Sequence, residues 1–151
     1  MSAVSKPRDV LQRVLMGQRF AALATQQNGQ PYVNLLAFTA SDDLSFILFA
    51  TSRNTQKYRN IEENAKVAIL IDNRRNAPSD LTGALAITAL GSASEVAEDG
   101  IDSVVQSYLD RHPLLIDFVR RPETAIIRAK ITDYIVARFD RVERIQLDTR
   151  S

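Results

Sequence analysis

The stretch LSFILFATSRNTQKYRNIEENAKVAILID, residues 44–72, decides how this sequence is interpreted. It holds two apolar runs, residues 44–50 and 66–72, each with the length and the aromatic or β-branched content of a buried strand. The polar segment between them predicts a helix over residues 55–64. A strand, a helix and a second strand therefore follow one another within 29 residues.

Hydroxyl and cationic side chains are concentrated where the first strand passes into the helix. They are Thr51, Ser52, Arg53, Thr55 and Lys57. The first N–H groups of a helix have no partner within the helix, and its dipole adds partial positive charge there, so such an end attracts phosphate. A cation in the first turn opposes the dipole unless an anion is present, which favours a phosphate monoester at this junction. The alternative is that Asn54 or Thr55 only caps the helix while the cations lie in solvent.

The sequence before this stretch predicts a short helix and two strands. Pro7 and Gly17 suit the start and the end of an amphipathic helix. Asn28-Gly29 is a strong hairpin signal between strands at residues 19–26 and 31–40. With residues 44–50 these strands are expected to form an antiparallel meander.

The sequence after it continues the pattern. A polar loop at residues 73–83 precedes a long strand at 84–96, in which Gly91 indicates a bulge or a bend. A helix at 99–111 and a short helical piece at 112–119 follow. Alternating residues then predict strands at 124–131 and 134–139, and the tail either ends in a short strand or frays. Closure removes the exposed edges of a sheet, so the expected fold is α+β, a small antiparallel barrel in one domain of residues 1–151.

Composition excludes several classes of function. The 151 residues carry a formal net charge of +1, which gives no general attraction to nucleic acid or anionic membranes. Cysteine is absent, so disulfides, thiolate nucleophiles and iron–sulfur clusters are excluded, and a single histidine argues against a histidine-rich metal site. No run approaches the roughly 20 apolar residues of a membrane helix, and the N-terminus lacks the apolar core of a signal peptide. A cytoplasmic protein is expected.

The order of elements and residues 44–72 resemble the flavin-binding split-barrel family related to pyridoxamine 5′-phosphate oxidase. Phe49 and Thr51 match a Phe-x-Thr strand end, and residues 55–57 stand at the family's Ser-Arg-Lys cluster. The segment GQPYVNLLAF, residues 29–38, looks like the strand beneath the flavin ring, and GSASEV, residues 91–96, resembles a later long strand. The resemblance implies a Greek-key split barrel of six to seven antiparallel strands with a few peripheral helices.

The resemblance also implies FMN as cofactor and a homodimer with the flavin at its interface. Thr51, Thr55, Gln56 and Lys57 would hold the phosphate, with Arg53 offset from the family's arginine but able to replace it, and Ser52 adding a hydroxyl. Asn34 and Leu35 would lie along the ring system. The expected cofactor-binding residues are Asn34, Leu35, Thr51, Ser52, Arg53, Thr55, Gln56 and Lys57.

Departures from the family pattern set the expected chemistry. Gln56 replaces the arginine of the phosphate cluster, Ala65 replaces a proline, and neither the Arg-x-Val-Leu-Leu-Lys strand nor the C-terminal arginine motif is recognisable. An FMN-dependent oxidoreductase acting on a small molecule is therefore expected, but not a pyridoxamine phosphate oxidase. The alternative is a non-catalytic carrier of flavin, deazaflavin F420 or haem. No catalytic residue or substrate is assigned.

The sequence allows two interpretations for His112 and two for the pair Arg74 and Arg75. His112 either ends a helix by complementing its dipole or faces a flavin or haem. Arg74 and Arg75 either lie in solvent or reach over the cofactor of a partner subunit.

Overall fold

Helices and strands alternate along residues 6–147, the part of the chain that this computed structural model describes. The elements are α1 (Pro7–Gly17), β1 (Phe20–Gln27), β2 (Gln30–Ala37), β3 (Thr39–Ala40), β4 (Phe46–Ser52), α2 (Gln56–Glu63), β5 (Lys66–Asp72), α3 (Asp80–Gly83), β6 (Ala86–Glu95), α4 (Ile101–Arg111), α5 (Ile116–Val119), β7 (Thr124–Arg138) and β8 (Arg141–Gln146), with a 3-10 turn at Pro113–Leu115. The predicted fate of the last residues, 148–151, lies outside the described range.

The strands form one curled antiparallel sheet. Its order is β2-β1-β5-β6-β7-β4-β3, and β8 also pairs with β7. Side chains alternate between the faces of each strand, so Leu23, Ile69, Ile87 and Ile127 all point into one fully buried core. The apolar stripe of α1 packs on the same core. The predicted antiparallel split barrel of α+β type is confirmed; the described residues hold eight strands rather than six or seven.

The hairpin between β1 and β2 forms as predicted. Asn28 and Gly29 take positive φ angles of 50° and 83°, the conformation that a two-residue hairpin turn of this kind requires. The expected meander of the first three long strands holds only in part: β2 pairs with β1, but the pairing with β4 is limited to Thr39 and Ala40. β4 pairs with β3 on one side and with β7 on the other, so it lies far from β1 in the sheet.

The predicted strand at residues 31–40 is broken at Phe38. Before the break β2 pairs with β1, and after it Thr39 and Ala40 pair with β4. Phe38 is fully buried at this corner, and its N–H donates to the Arg19 carbonyl over 3.2 Å. The chain changes its partner strand here, and no local sequence pattern predicts this change.

Gly91 confirms the predicted bulge. The register between β6 and β7 shifts between Leu90 and Gly91, and a Cβ added at Gly91 would lie 2.1 Å from the Lys130 carbonyl oxygen. The two strands predicted at 124–131 and 134–139 are one 15-residue strand, because Asp133 at their junction stays paired with both Leu90 and Gln146.

The remaining segments follow the prediction with small changes. The polar loop after β5 ends in the one-turn helix α3, and α4 begins at Ile101, just after Gly100 at a φ of 79°. Within residues 6–147, no helix is long and apolar enough to cross a membrane.

Candidate functional site

A cavity of about 330 Å³ lies where α2 faces the edge strand β2 and the helical segment α4–α5. Leu35, Leu36 and Ala37 of β2 form one wall. Tyr108 of α4 and Phe118 of α5 form another. The expected ring-binding Leu35 and the expected phosphate-binding Lys57 line the same cavity, although 22 positions separate them in the sequence.

Lys57 is the one charged residue among those that line this cavity in the described part of the chain. Its side chain is half-buried, and burial lowers the pKa of its ammonium group below the ordinary value. No hydrogen bond or ion pair to another of residues 6–147 compensates this charge. A partly desolvated cation without a counter-ion is complementary to an anion.

Asn34 carries a second unsatisfied group on the same strand. It lies opposite the fully buried Leu23 in the β1–β2 register, so its side chain points to the inner face, like that of Leu36 two positions on. Its amide nitrogen and oxygen are both buried without a partner among the residues the structure describes. Leaving buried polar atoms unpaired costs about 1–3 kcal/mol each, so a ligand with a donor and an acceptor edge would relieve the cost.

The hydroxyl groups at the start of α2 bond to one another and to the backbone. Thr55, one of the two candidate caps, is the N-cap: its Oγ1 accepts from the Tyr58 N–H at 3.3 Å and donates to the Ser52 carbonyl at 2.8 Å. The hydroxyls of Thr51 and Thr55 are 3.1 Å apart, and the Ser52 Oγ accepts from the Asn54 N–H. In this conformation these groups close the turn.

Arg53 is held by the chain's own carboxylate. Its Nε and Nη2 donate to the two Oε atoms of Glu95 at 3.1 and 2.9 Å, and its Nη1 donates to the Pro122 carbonyl at 2.9 Å. The Tyr58 hydroxyl adds a bond to Glu95 at 2.7 Å. The hydrogen bond with Glu95 raises the pKa of Arg53, and the same bond lowers the pKa of Glu95. Arg53 is not among the residues that line the cavity of Lys57.

Gln56 also makes internal bonds. Its amide nitrogen donates to the Asn60 Oδ1 at 2.7 Å, and its oxygen accepts from Arg59. Asn60 is fully buried, and its amide nitrogen donates to the Thr25 Oγ1 on β1 at 3.0 Å. Gln56 thus supports Asn60, which connects α2 to the sheet, and it stands where the family pattern has a cation.

Two residues near the end of α4 hold the corner of the sheet at Phe38. The Tyr108 hydroxyl donates to the Ala37 carbonyl at 3.0 Å, and the His112 Nε2 lies 2.6 Å from the Phe38 carbonyl. Burial raises the pKa of Tyr108 to about 12 and lowers the pKa of His112. The His112 N–H bonds the Tyr108 carbonyl at the helix end, in agreement with the expected capping position.

Sequence reasoning missed Glu95 and Tyr108. Glu95 lies 42 positions after Arg53 at the end of a strand, and nothing in the helix predicted at 99–111 indicates that the Tyr108 hydroxyl bonds the Ala37 carbonyl.

Arg74 pairs with Asp72 at 3.2 Å and lies beside Arg75 in a polar cavity. It also lines a small cavity with Phe20 and Leu35, which both belong to the wall of the Lys57 cavity. No cluster of three metal-ligating side chains occurs between residues 6 and 147.

The curled antiparallel sheet and its helices define a split-barrel protein. The model of the pyridoxamine 5′-phosphate oxidase family matches residues 8–136, and the chain therefore belongs to this family. Among curated proteins, none matches.

Solved structures share the fold at low sequence identity. A haem-binding protein from Mycobacterium smegmatis superposes with a TM-score of 0.83 at 14% identity over 95% of this chain, which spans only 60% of that protein. HutZ, the haem storage protein of Vibrio cholerae, gives 0.70 at 20% identity, covering 81% of this chain and 87% of HutZ. An FAD-binding protein from Mesorhizobium loti gives 0.66 at 19% identity, with coverages of 81% and 87%.

Proposed function

We propose that the chain is an FMN-binding flavoprotein that acts as an oxidoreductase on a small molecule. The observation that carries the proposal is the half-buried Lys57, which lines the cavity beside Leu35 and Leu36 and has no partner within residues 6–147. Asn34 lies on the same strand, and its unpaired amide, which is not among the lining residues, offers a donor and an acceptor like those at the polar edge of a flavin ring. The apolar side chains of Leu35 and Leu36 suit the ring faces, and Lys57 suits the phosphate.

The remaining expected phosphate ligands take part only if they exchange their present partners. Thr51, Ser52 and Thr55 would turn their hydroxyls from the α2 turn, and Gln56 would leave Asn60. When bound, the flavin supplies the hydride or electron transfer, and the chain binds it, orients it and shields it from water. The missing arginine motifs argue against pyridoxamine phosphate as the substrate.

The proposal includes a homodimer with the cofactor at its interface, in the cytoplasm. Phe20, Val33 and Leu35 on β1 and β2 are exposed by 61%, 64% and 69%, and Leu70 of the neighbouring β5 continues the same face. Such a contiguous apolar patch beside a cavity is typical of an interaction surface. A second copy covering it would close the open side of the site.

Haem is the alternative suggested by two of the structural neighbours, but the contacts of His112 favour FMN. His112 is the chain's only histidine, and it is buried with its Nε2 bonded to the Phe38 carbonyl. Haem ligation by this residue would need that bond to break and the α4 end to move. Flavin binding needs no such change.

Identification of the small molecule released from the purified, denatured protein tests the proposal. FMN in the mass spectrum supports it, whereas haem or F420 contradicts it. Reduction of the bound flavin by NAD(P)H, followed by turnover of an added electron acceptor, separates an enzyme from a carrier. A Soret band in the absorption spectrum of the native protein would identify haem.

A further inference from the structure

We infer that the cavity takes a flat, largely apolar molecule with a single anionic group, which Lys57 alone binds while Arg53 stays with Glu95. This inference rests on the proposed function, because it specifies the ligand class of the same site. It differs from the sequence-based expectation, in which both cations held one phosphate.

The first support is the contact set of Arg53. Its guanidinium makes two bonds to the Glu95 carboxylate and a third to the Pro122 carbonyl, with distances of 2.9–3.1 Å. Transfer of Arg53 to a ligand would break all three bonds. It would also leave Glu95 with only the Tyr58 hydroxyl as a partner.

The second support is the state of Lys57. It lines the cavity, it is half-buried, and within residues 6–147 it has no hydrogen bond or ion pair. One anionic group of a ligand would neutralise the ammonium charge of Lys57 in the cavity. A second anionic group would find no further charged partner among the lining residues and would be desolvated without compensation.

The third support is the character of the walls. Phe20, Leu36, Leu115 and Phe118 present apolar surface, and Tyr108 points its hydroxyl away to the Ala37 carbonyl. The unpaired amide of Asn34 lies on the same strand but is not among the lining residues. A flat apolar body with one charged arm matches this distribution. The tail of F420, with several carboxylates, would have to keep most of its charge in water.

Comparison of FMN with riboflavin isolates the charged contact, because riboflavin lacks the phosphate. The titrations use the wild type and the matched variants Lys57→Met and Arg53→Met, which each remove one cation and keep an unbranched stem. We expect the wild type to bind FMN about 10- to 100-fold more tightly than riboflavin, as one charge-assisted contact would give. The ratio should fall to about 1 in Lys57→Met and stay unchanged in Arg53→Met.

Loss of the FMN preference in Arg53→Met would overturn the inference, since Arg53 would then have left Glu95 for the phosphate. Glu95→Gln gives an independent variant in which Arg53 is released from its carboxylate. An unchanged or raised ratio in this variant supports the inference, because Arg53 is withheld from the phosphate in the wild type and becomes available only when Glu95 no longer binds it, whereas a lowered ratio contradicts it. Thermal unfolding of each variant verifies that it is folded at the temperature of the titration.

A wild type that binds neither flavin would refute the proposed function, and a second probe then decides the inference. Anilinonaphthalene sulfonate has a flat apolar body and one anionic group, and its fluorescence reports binding. Lys57→Met should weaken its binding about tenfold, and Arg53→Met should leave it unchanged. Equal binding by the wild type and both variants would contradict the inference.

Discussion

Two cations, Arg53 and Lys57, flank the start of α2, and they differ in both exposure and bonding. On one side Arg53 is exposed, yet it is bound by Glu95 and the Pro122 carbonyl. On the other side Lys57 is half-buried, yet within the described residues it has no partner. The exposed Arg53 therefore stabilises the fold, and the half-buried Lys57 is the cation that remains available to a ligand. What distinguishes them is the position of the counter-ion, which depends on distant parts of the chain.

Alkaline titration should have the largest effect on the Lys57 side. Burial lowers the pKa of Lys57 from 10.5, so the ammonium loses its proton at a lower pH than an exposed lysine. As the pH rises towards 10.5, the preference for FMN over riboflavin should disappear, a change of about 10- to 100-fold. Affinities measured between pH 7 and 10 test this expectation. A preference that is constant over this range would mean that the phosphate is bound elsewhere.

Replacement of Asn34, on the strand that lines the Lys57 cavity, should change folding stability and flavin affinity in opposite directions. Asn34→Leu removes two unpaired buried polar atoms and should raise the free energy of unfolding of the ligand-free protein by about 1–2 kcal/mol. The same change should weaken FMN and riboflavin equally, because it removes a contact to the ring. Urea unfolding and flavin titration measure the two effects. A less stable variant would show that the amide has a partner in solution.

On the Arg53 side, the expected effect is on stability alone. Arg53→Met should lower the free energy of unfolding by about 1 kcal/mol, a value reduced for solvent screening because both partners are more than a third exposed. Glu95 has a lowered pKa, so the ion pair contributes fully above the unfolded-state value of 4.5 and is lost as the pH falls through the folded-state value. Below that range the difference in stability between the wild type and the variant should shrink to the contribution of the Pro122 hydrogen bond. Urea unfolding at neutral and acidic pH checks the prediction.

Tyr58→Phe should have the smallest effect. It removes one hydrogen bond to Glu95 and leaves the bidentate contact with Arg53 in place. The free energy of unfolding should fall by about 0.5 kcal/mol, with no change in flavin affinity. A loss as large as that of Arg53→Met would mean that Tyr58 holds Glu95 in position for the ion pair.

Features with a short-range cause could be predicted from the sequence. Asn28-Gly29 specified the hairpin, and Asn54 and Thr55 were the two candidate helix caps, because both features depend on local backbone conformation. Gly91 indicated the bulge by its residue type alone, although the close contact there comes from the Lys130 carbonyl on a neighbouring strand. The change of partner at Phe38 and the pairing of β4 with β7 depend on the arrangement of the whole sheet.

The site was only partly predictable for the same reason. Lys57 was selected by its place at the start of the helix and Leu35 by family resemblance, and they do line one cavity. Glu95 reaches Arg53 from another strand, so local spacing could not show that Arg53 already has an anion. The hydroxyl groups had two possible uses in the sequence, and in this conformation they close the turn.

The attachment of α4 to the sheet corner has a consequence for ligand entry. Tyr108 and His112 hold consecutive carbonyl groups at the point where the strand changes neighbours, and Tyr108 and Ala37 belong to the cavity wall. Partial unwinding of the last turn of α4 would release both carbonyls and widen the cavity while the barrel stays intact. If this local unwinding is slow, it limits the observed rate of ligand association. The rate would then stop rising with ligand concentration once the concentration is high, even for a tightly bound molecule.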